Sequence, residues 1–164
     1  DIADLITEKV LSYTDDLDVG VVQTQFHSEV SGEEDESSSA LSSSIAIVED
    51  DSVTRTLLEN TFNGINAQIS SFANGSDFLT STNKKEYDLI ILDTNLPGLS
   101  GFDVLKILQN KQYFSPTIVY SSEQSREAVM QALSLGAKTY LVKPLKQEVL
   151  LQKAIEVLRS KDTM

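Results

Sequence analysis

The chain has 164 residues, 40% hydrophobic and 23% charged, enough for one domain of ordinary size with a core of its own. It contains no Cys, which excludes a disulfide framework, a thiolate zinc cluster and a thiol nucleophile. Its 25 Asp and Glu against 13 Lys and Arg give a net charge of −12, which repels phosphate backbones and anionic lipid, so neither direct nucleic-acid binding nor membrane contact is expected. No apolar run approaches the ~20 residues of a spanning helix, and no basic start with an apolar stretch marks a signal peptide. The chain reads as soluble and cytoplasmic, and its start at Asp1 instead of Met leads us to expect a longer native protein.

The acidity is uneven. Residues 1–44 hold 11 acids and a single base, Lys9, while residues 45–164 hold 14 acids and 12 bases. In chain order, Ile2, Ile6, Val10, Tyr13 and Leu17 trace one stripe of an amphipathic helix, and residues 19–26 read as a short strand. One helix and one strand do not make a stable unit, so residues 1–27 are expected to be the tail of an upstream domain or a segment that docks on the second part, with a disordered acidic arm as the alternative. Residues 28–44 carry eight serines and five acids with no Lys or Arg, the composition of a flexible linker. His27 stands before it in a polar setting that resembles no phosphohistidine motif.

From Ser44 onward, short apolar runs alternate with helix-length amphipathic segments. The pattern predicts strands at residues 45–48, 67–72, 88–92, 117–120 and 139–142, and helices at residues 52–62, 75–80, 101–109, 125–135 and 147–159. Five βα units of this size imply a five-stranded, doubly wound parallel sheet of the flavodoxin-like kind, with ligands at the carboxyl ends of the strands. Just past those ends stand Glu49, Asp50 and Asp51, then Asp93, then Ser121 and Ser122, then Lys143-Pro144.

Clustered carboxylates repel one another and need a cation to stay ionised. An all-oxygen set without His or Cys favours a hard ion, Mg²⁺ above all, which takes one or two carboxylates together with a phosphoryl oxygen. Lys143 can supply a charge to that oxygen, Ser121 a hydrogen-bond donor, and Asp93 a nucleophile for an aspartyl phosphate. Asp51, directly before a predicted helix, reads as its N-cap.

The runs IAIVEDDSVTR, DLIILDTNLPGLSGFDVL, PTIVYSSE and GAKTYLVKPL resemble, in order and spacing, the receiver domains of two-component response regulators over Ile45 to about Arg159. The resemblance implies that Asp93 is the phosphoacceptor and that Glu49, Asp50, Asp93 and the backbone carbonyl of Asn95 hold Mg²⁺. It makes Lys143 the conserved-type lysine, Ser121 and Tyr140 the switch pair, and Asn95, Ser122 and Glu123 the residues that tune phosphoryl lifetime. Pro97, Gly98 and Gly101 fit the loop after the acceptor, and Pro144 stands where the family commonly has a cis peptide. The sequence departs from the family at Glu49, where Asp is commoner, and at Ser122, where Ala or Gly is usual.

The implied partners are a sensor histidine kinase or histidine phosphotransfer protein, and a downstream protein on the face of the fourth helix, fifth strand and fifth helix, with a phosphorylation-dependent dimer as a further outcome. On this reading Ser121 moves toward the phosphoryl group and Tyr140 rotates inward behind it. The expected setting is a terminal module of a hybrid kinase, or of a regulator with its output upstream. Three rival readings share parts of this pattern: a haloacid-dehalogenase-type phosphatase, which wants a second Asp where Asn95 stands; a nucleotide-binding flavodoxin-like protein, which wants a Gly-rich loop after the first strand; and a pseudo-receiver that binds proteins without being phosphorylated.

Overall fold

The computed structural model describes residues 42–162. The helix, strand and linker expected before residue 42, and His27, lie outside the described residues. Ten elements follow in strict alternation: β1 (Ser43–Val48), α1 (Ser52–Phe62), β2 (Ala67–Phe72), α2 (Gly75–Ser81), β3 (Leu89–Leu92), α3 (Gly101–Asn110), β4 (Thr117–Ser121), α4 (Arg126–Ser134), β5 (Thr139–Val142) and α5 (Gln147–Asp162). All five strands are parallel, in the order β2-β1-β3-β4-β5. The expected doubly wound sheet is therefore the observed one.

Strand alternation divides the core into two layers. Ala46, Val48, Ile90, Leu92, Val119 and Tyr140 face one way and pack with Phe78 of α2, Val104, Leu105 and Leu108 of α3, and Ala128, Val129 and Ala132 of α4. Ile45, Ile47, Leu89, Ile91, Ile118 and Leu141 face the other way, against Leu58 and Phe62 of α1 and Leu150, Ala154 and Val157 of α5. The four residues Ile45 to Val48, like the whole of β3, are buried on both faces, as strands covered by helices on both sides must be. Each such aliphatic side chain contributes ~1.5–3 kcal/mol on full burial.

Helix starts are fixed by side-chain oxygens that accept otherwise unpaired amides. Asp51 caps α1 by accepting from the Thr54 N–H at 2.8 Å, the role expected from sequence. Asn74 caps α2, Ser125 caps α4, and at α3 Ser100 and Asp103 form a reciprocal capping box.

The element boundaries shift by up to three residues from the sequence reading, and one shift at β1 has a clear cause. Ser43 and Ser44, assigned to the linker by composition, belong to β1 and pair in register with Ala67 and Gln68 of β2. Ser44 also donates its N–H to Asp88 Oδ2 at 2.8 Å and accepts the Asp88 N–H at 2.8 Å, so neighbouring strands impose the extended form on residues with little propensity for it.

Where β1 and β3 lie side by side, the chain connections diverge to opposite sides, and a crevice opens at the strands' carboxyl ends. Gly101, the first residue of α3, fits there because a Cβ would come within 2.3 Å of the Asp93 carbonyl oxygen and 2.6 Å of Thr94 Cα. Gly98, in the preceding loop, has φ +74°, a conformation glycine adopts without penalty.

Candidate functional site

The crevice collects side chains from four strand ends. Glu49 follows β1 and is 2% exposed, Asp93 follows β3 and is 6% exposed, and Asp50 is exposed beside them. One carboxylate oxygen from each of the three lies within 4.8 Å of the others. Lys143, past β5, reaches in with Nζ 2.7 Å from Glu49 Oε1 and 3.0 Å from Asp93 Oδ2. A single ammonium thus bridges the two buried carboxylates, with Asp50 on the solvent side.

Backbone groups take up the remaining acceptor sites. Glu49 Oε2 accepts the Asp51 N–H at 3.1 Å, and Asp93 Oδ1 accepts the Asn95 N–H at 3.1 Å. The Arg55 guanidinium of α1 donates to the carbonyls of Glu49 at 2.8 Å and Asp50 at 3.2 Å, which pins the loop after β1. Sequence reading missed Arg55; its place one turn into the helix that Asp51 starts was the available signal.

Burial pushes the Glu49 carboxyl above its ordinary value, and the nearby Asp93 charge adds to the rise against the lowering bond from Lys143. Burial alone would lower Lys143, but its hydrogen bonds to Glu49 and Asp93 prevail and hold the ammonium above its usual range. Asp51, fully exposed, is lowered by the Thr54 amide it accepts from.

The donor set answers the question of a metal. Among the described residues three carboxylates converge with no His or Cys, and one lysine is in contact with two of them, which suits a hard divalent ion with oxygen ligands. Glu49, Asp50 and Asp93 are the residues that would hold it, and the longer Glu49 side chain still reaches the cluster.

The second group of expected residues lies beside this cluster, at the end of β4. Ser121 is fully buried, and its Oγ lies 2.6 Å from Thr94 Oγ1 and accepts the Glu123 N–H at 3.1 Å. Tyr140 on β5 is fully buried too, with its hydroxyl donating to the Glu123 carbonyl at 2.5 Å. Burial raises the Tyr140 phenol, against lowering hydrogen bonds from the Ser121 and Thr94 side chains. In this structure the Tyr140 ring occupies the interior, its hydroxyl on the Glu123 carbonyl. Asn95, Ser122 and Glu123 stand exposed at the rim. The Lys143–Pro144 peptide is cis, as the resemblance implied. Thr94 also escaped sequence reading, although a hydroxyl residue directly after the strand-end aspartate was there to be seen.

Fold and site together define an α/β domain that gathers three carboxylates, a lysine and a hydroxyl at the carboxyl ends of its parallel strands. Comparison with known proteins makes the class specific. The response regulator receiver domain family matches residues 45–155, and the chain belongs to it. The transcriptional regulatory protein PcoR of Escherichia coli is 33% identical over 115 residues, 70% of this chain and 51% of that protein. AfsQ1 of Streptomyces coelicolor is 33% identical over 116 residues, 71% of this chain and 51% of that protein. The chain thus spans about half the length of these two regulators. Among solved structures, the chemotaxis response regulator CheY4 of Vibrio cholerae superposes with a TM-score of 0.66 at 28% identity, over 71% of this chain and 99% of that one. The receiver domain of the Francisella response regulator 1452 shares the fold with a TM-score of 0.69 at 24% identity, over 73% of this chain and 98% of that one.

Proposed function

We propose that this receiver domain is phosphorylated on Asp93, accepting the phosphoryl group from a phosphohistidine on a sensor histidine kinase or histidine phosphotransfer protein. The observation that carries the reading is the Lys143 ammonium set between Asp93 and Glu49, at 3.0 and 2.7 Å, beside an acid cluster with room for a divalent ion. A carboxylate oxygen of Asp93 forms the bond to phosphorus as the phosphorus–nitrogen bond to the donor histidine breaks. Lys143, already on the Asp93 carboxylate, neutralises charge on the transferring group without reorganising. Ser121 supplies a hydroxyl donor to a phosphoryl oxygen. Mg²⁺ is the proposed cofactor, held by Glu49, Asp50, Asp93 and the Asn95 carbonyl, and its contribution when bound is neutralisation of phosphoryl charge.

The proposed output is a change of packing on the face of α4, β5 and α5, where Tyr140 links the site to a partner protein or a second copy of the chain. Among the described residues no helix is long and apolar enough to cross a membrane, and we place the domain in the cytoplasm with its kinase. The pseudo-receiver reading is disfavoured by the presence of acid cluster, lysine and hydroxyl together. Asn95, where the phosphatase rival needs an acid, speaks against a multi-turnover hydrolase.

The test is intact mass after incubation with acetyl phosphate and Mg²⁺, followed by a phosphorylated kinase domain as donor. A single hydroxylamine-labile adduct, absent from Asp93→Asn and from the Mg²⁺-free reaction, is the expected result. No adduct from any donor overturns the reading.

A further inference from the structure

We propose that Thr94 is a positioning residue that holds the Ser121 hydroxyl in a resting place and thereby sets how readily Ser121 engages a phosphoryl group on Asp93; the inference rests on the phosphoacceptor reading above. Thr94 Oγ1 and Ser121 Oγ lie 2.6 Å apart, and the two residues are 5% and 0% exposed, so no solvent competes for this bond. A serine hydroxyl has one proton and two lone pairs. In Ser121 one lone pair accepts the Glu123 N–H at 3.1 Å, a second position is spent on Thr94, and Asp93 is not among its partners.

Thr94 is the fixed member of the pair. Its carbonyl accepts the Gly101 N–H at 2.9 Å, and α3 packs so closely on it that a Cβ at residue 101 would sit 2.6 Å from Thr94 Cα. The movable member is Ser121, the last residue of β4. When Ser121 turns to a phosphoryl oxygen, the buried Thr94 hydroxyl loses this bond and keeps only its contact with the Tyr140 phenol, a cost that only the engaged state bears. Removing the Thr94 hydroxyl abolishes that cost and also deprives the resting state of its bond, and both effects favour engagement. Glu123 carries the change onward, since its N–H holds Ser121 while its carbonyl holds Tyr140.

The experiment titrates the full chain with beryllofluoride and Mg²⁺, a phosphoryl mimic, by calorimetry, alongside acetyl phosphate labelling. Thr94→Val, which keeps the shape and removes the hydroxyl, is expected to bind beryllofluoride about fivefold tighter, the shift that one net hydrogen bond supports. Thr94→Ser, which restores the hydroxyl, is expected to return the affinity of the unchanged chain. In a Ser121→Ala background the Thr94→Val gain is expected to vanish. Thr94→Ala removes the same hydroxyl and serves if Val does not pack. Unaltered or weaker binding in the hydroxyl-free variants, or an equal gain without Ser121, overturns the proposal. If the unchanged chain is labelled by no donor, the phosphoacceptor reading fails and takes this one with it; labelling that persists while Thr94 variants bind as before sinks the Thr94 role alone.

Discussion

β3 is bracketed by two aspartates, and they do opposite work. Asp88, before the strand, exchanges hydrogen bonds with Ser44 of β1, its carboxylate accepting one backbone N–H at 2.8 Å and its own N–H meeting the Ser44 carbonyl at 2.8 Å. Asp93, after the strand, spends one oxygen on the Lys143 ammonium and lies beside Glu49 and Asp50. At the amino end of the sheet a charge completes a strand ladder. At the carboxyl end charges of like sign are crowded together and held by a single lysine. A carboxylate given over to the backbone is structural, whereas a carboxylate crowded by others stores repulsion that a cation or a phosphoryl group can relieve.

The largest expected effect comes from Asp93→Asn, which removes the nucleophile: the acetyl phosphate adduct should vanish from the mass spectrum while circular dichroism stays native. Lys143→Met should come next, slowing phosphoryl transfer on the order of 100-fold by stopped-flow or gel assay, since a preplaced charge at the reacting group is worth about that much. Gly101→Ala should disturb the carboxyl end through packing alone, costing about 1–3 kcal/mol in urea unfolding because its methyl collides with the Asp93 carbonyl. Asp88→Ala should cost about 1 kcal/mol and leave labelling untouched; a labelling defect there would break the contrast between the two ends.

The subtlest test is a pH scan of thermal stability. Glu49 is raised in the folded state, so the native protein binds more protons than the unfolded chain just above the ordinary value of 4.5, and stability should fall as pH rises through that window. Lys143 is also raised, so its contribution is complete below 10.5 and is lost as pH climbs past the folded value. Lys143→Met should abolish the alkaline loss and steepen the acid-side fall, because Glu49 and Asp93 then face each other without a countercharge.

Much of this was legible in the sequence, for reasons that particular residues make plain. The β3 run of Leu89 to Leu92, apolar at every position, announces a strand covered on both faces, and an acid directly after it can only stand in the crevice. The same logic located Glu49, Ser121 and Lys143. Ser43 and Ser44 were misread because their composition continues the serine tract, while their conformation is decided by pairing with residues 67 and 68, information no local window holds. The inward Tyr140 ring depends on a rotamer and on the Glu123 carbonyl across a strand gap. Thr94 was passed over because it bears no charge, yet its hydroxyl lies 2.6 Å from that of Ser121.

The tight seat of Gly101 divides the site into a stiff half and a compliant half. With no room for even a methyl between α3 and the peptide after Asp93, β3 and α3 meet backbone to backbone in close packing. The β4 end, by contrast, is secured by exchangeable hydroxyl and amide bonds at Ser121 and Glu123. On the proposed reading, charge arriving on Asp93 meets close packing on the α3 side and exchangeable bonds on the β4 side, so the change of packing is expected to run through β4 toward Tyr140, which gives the signal a direction as well as an origin.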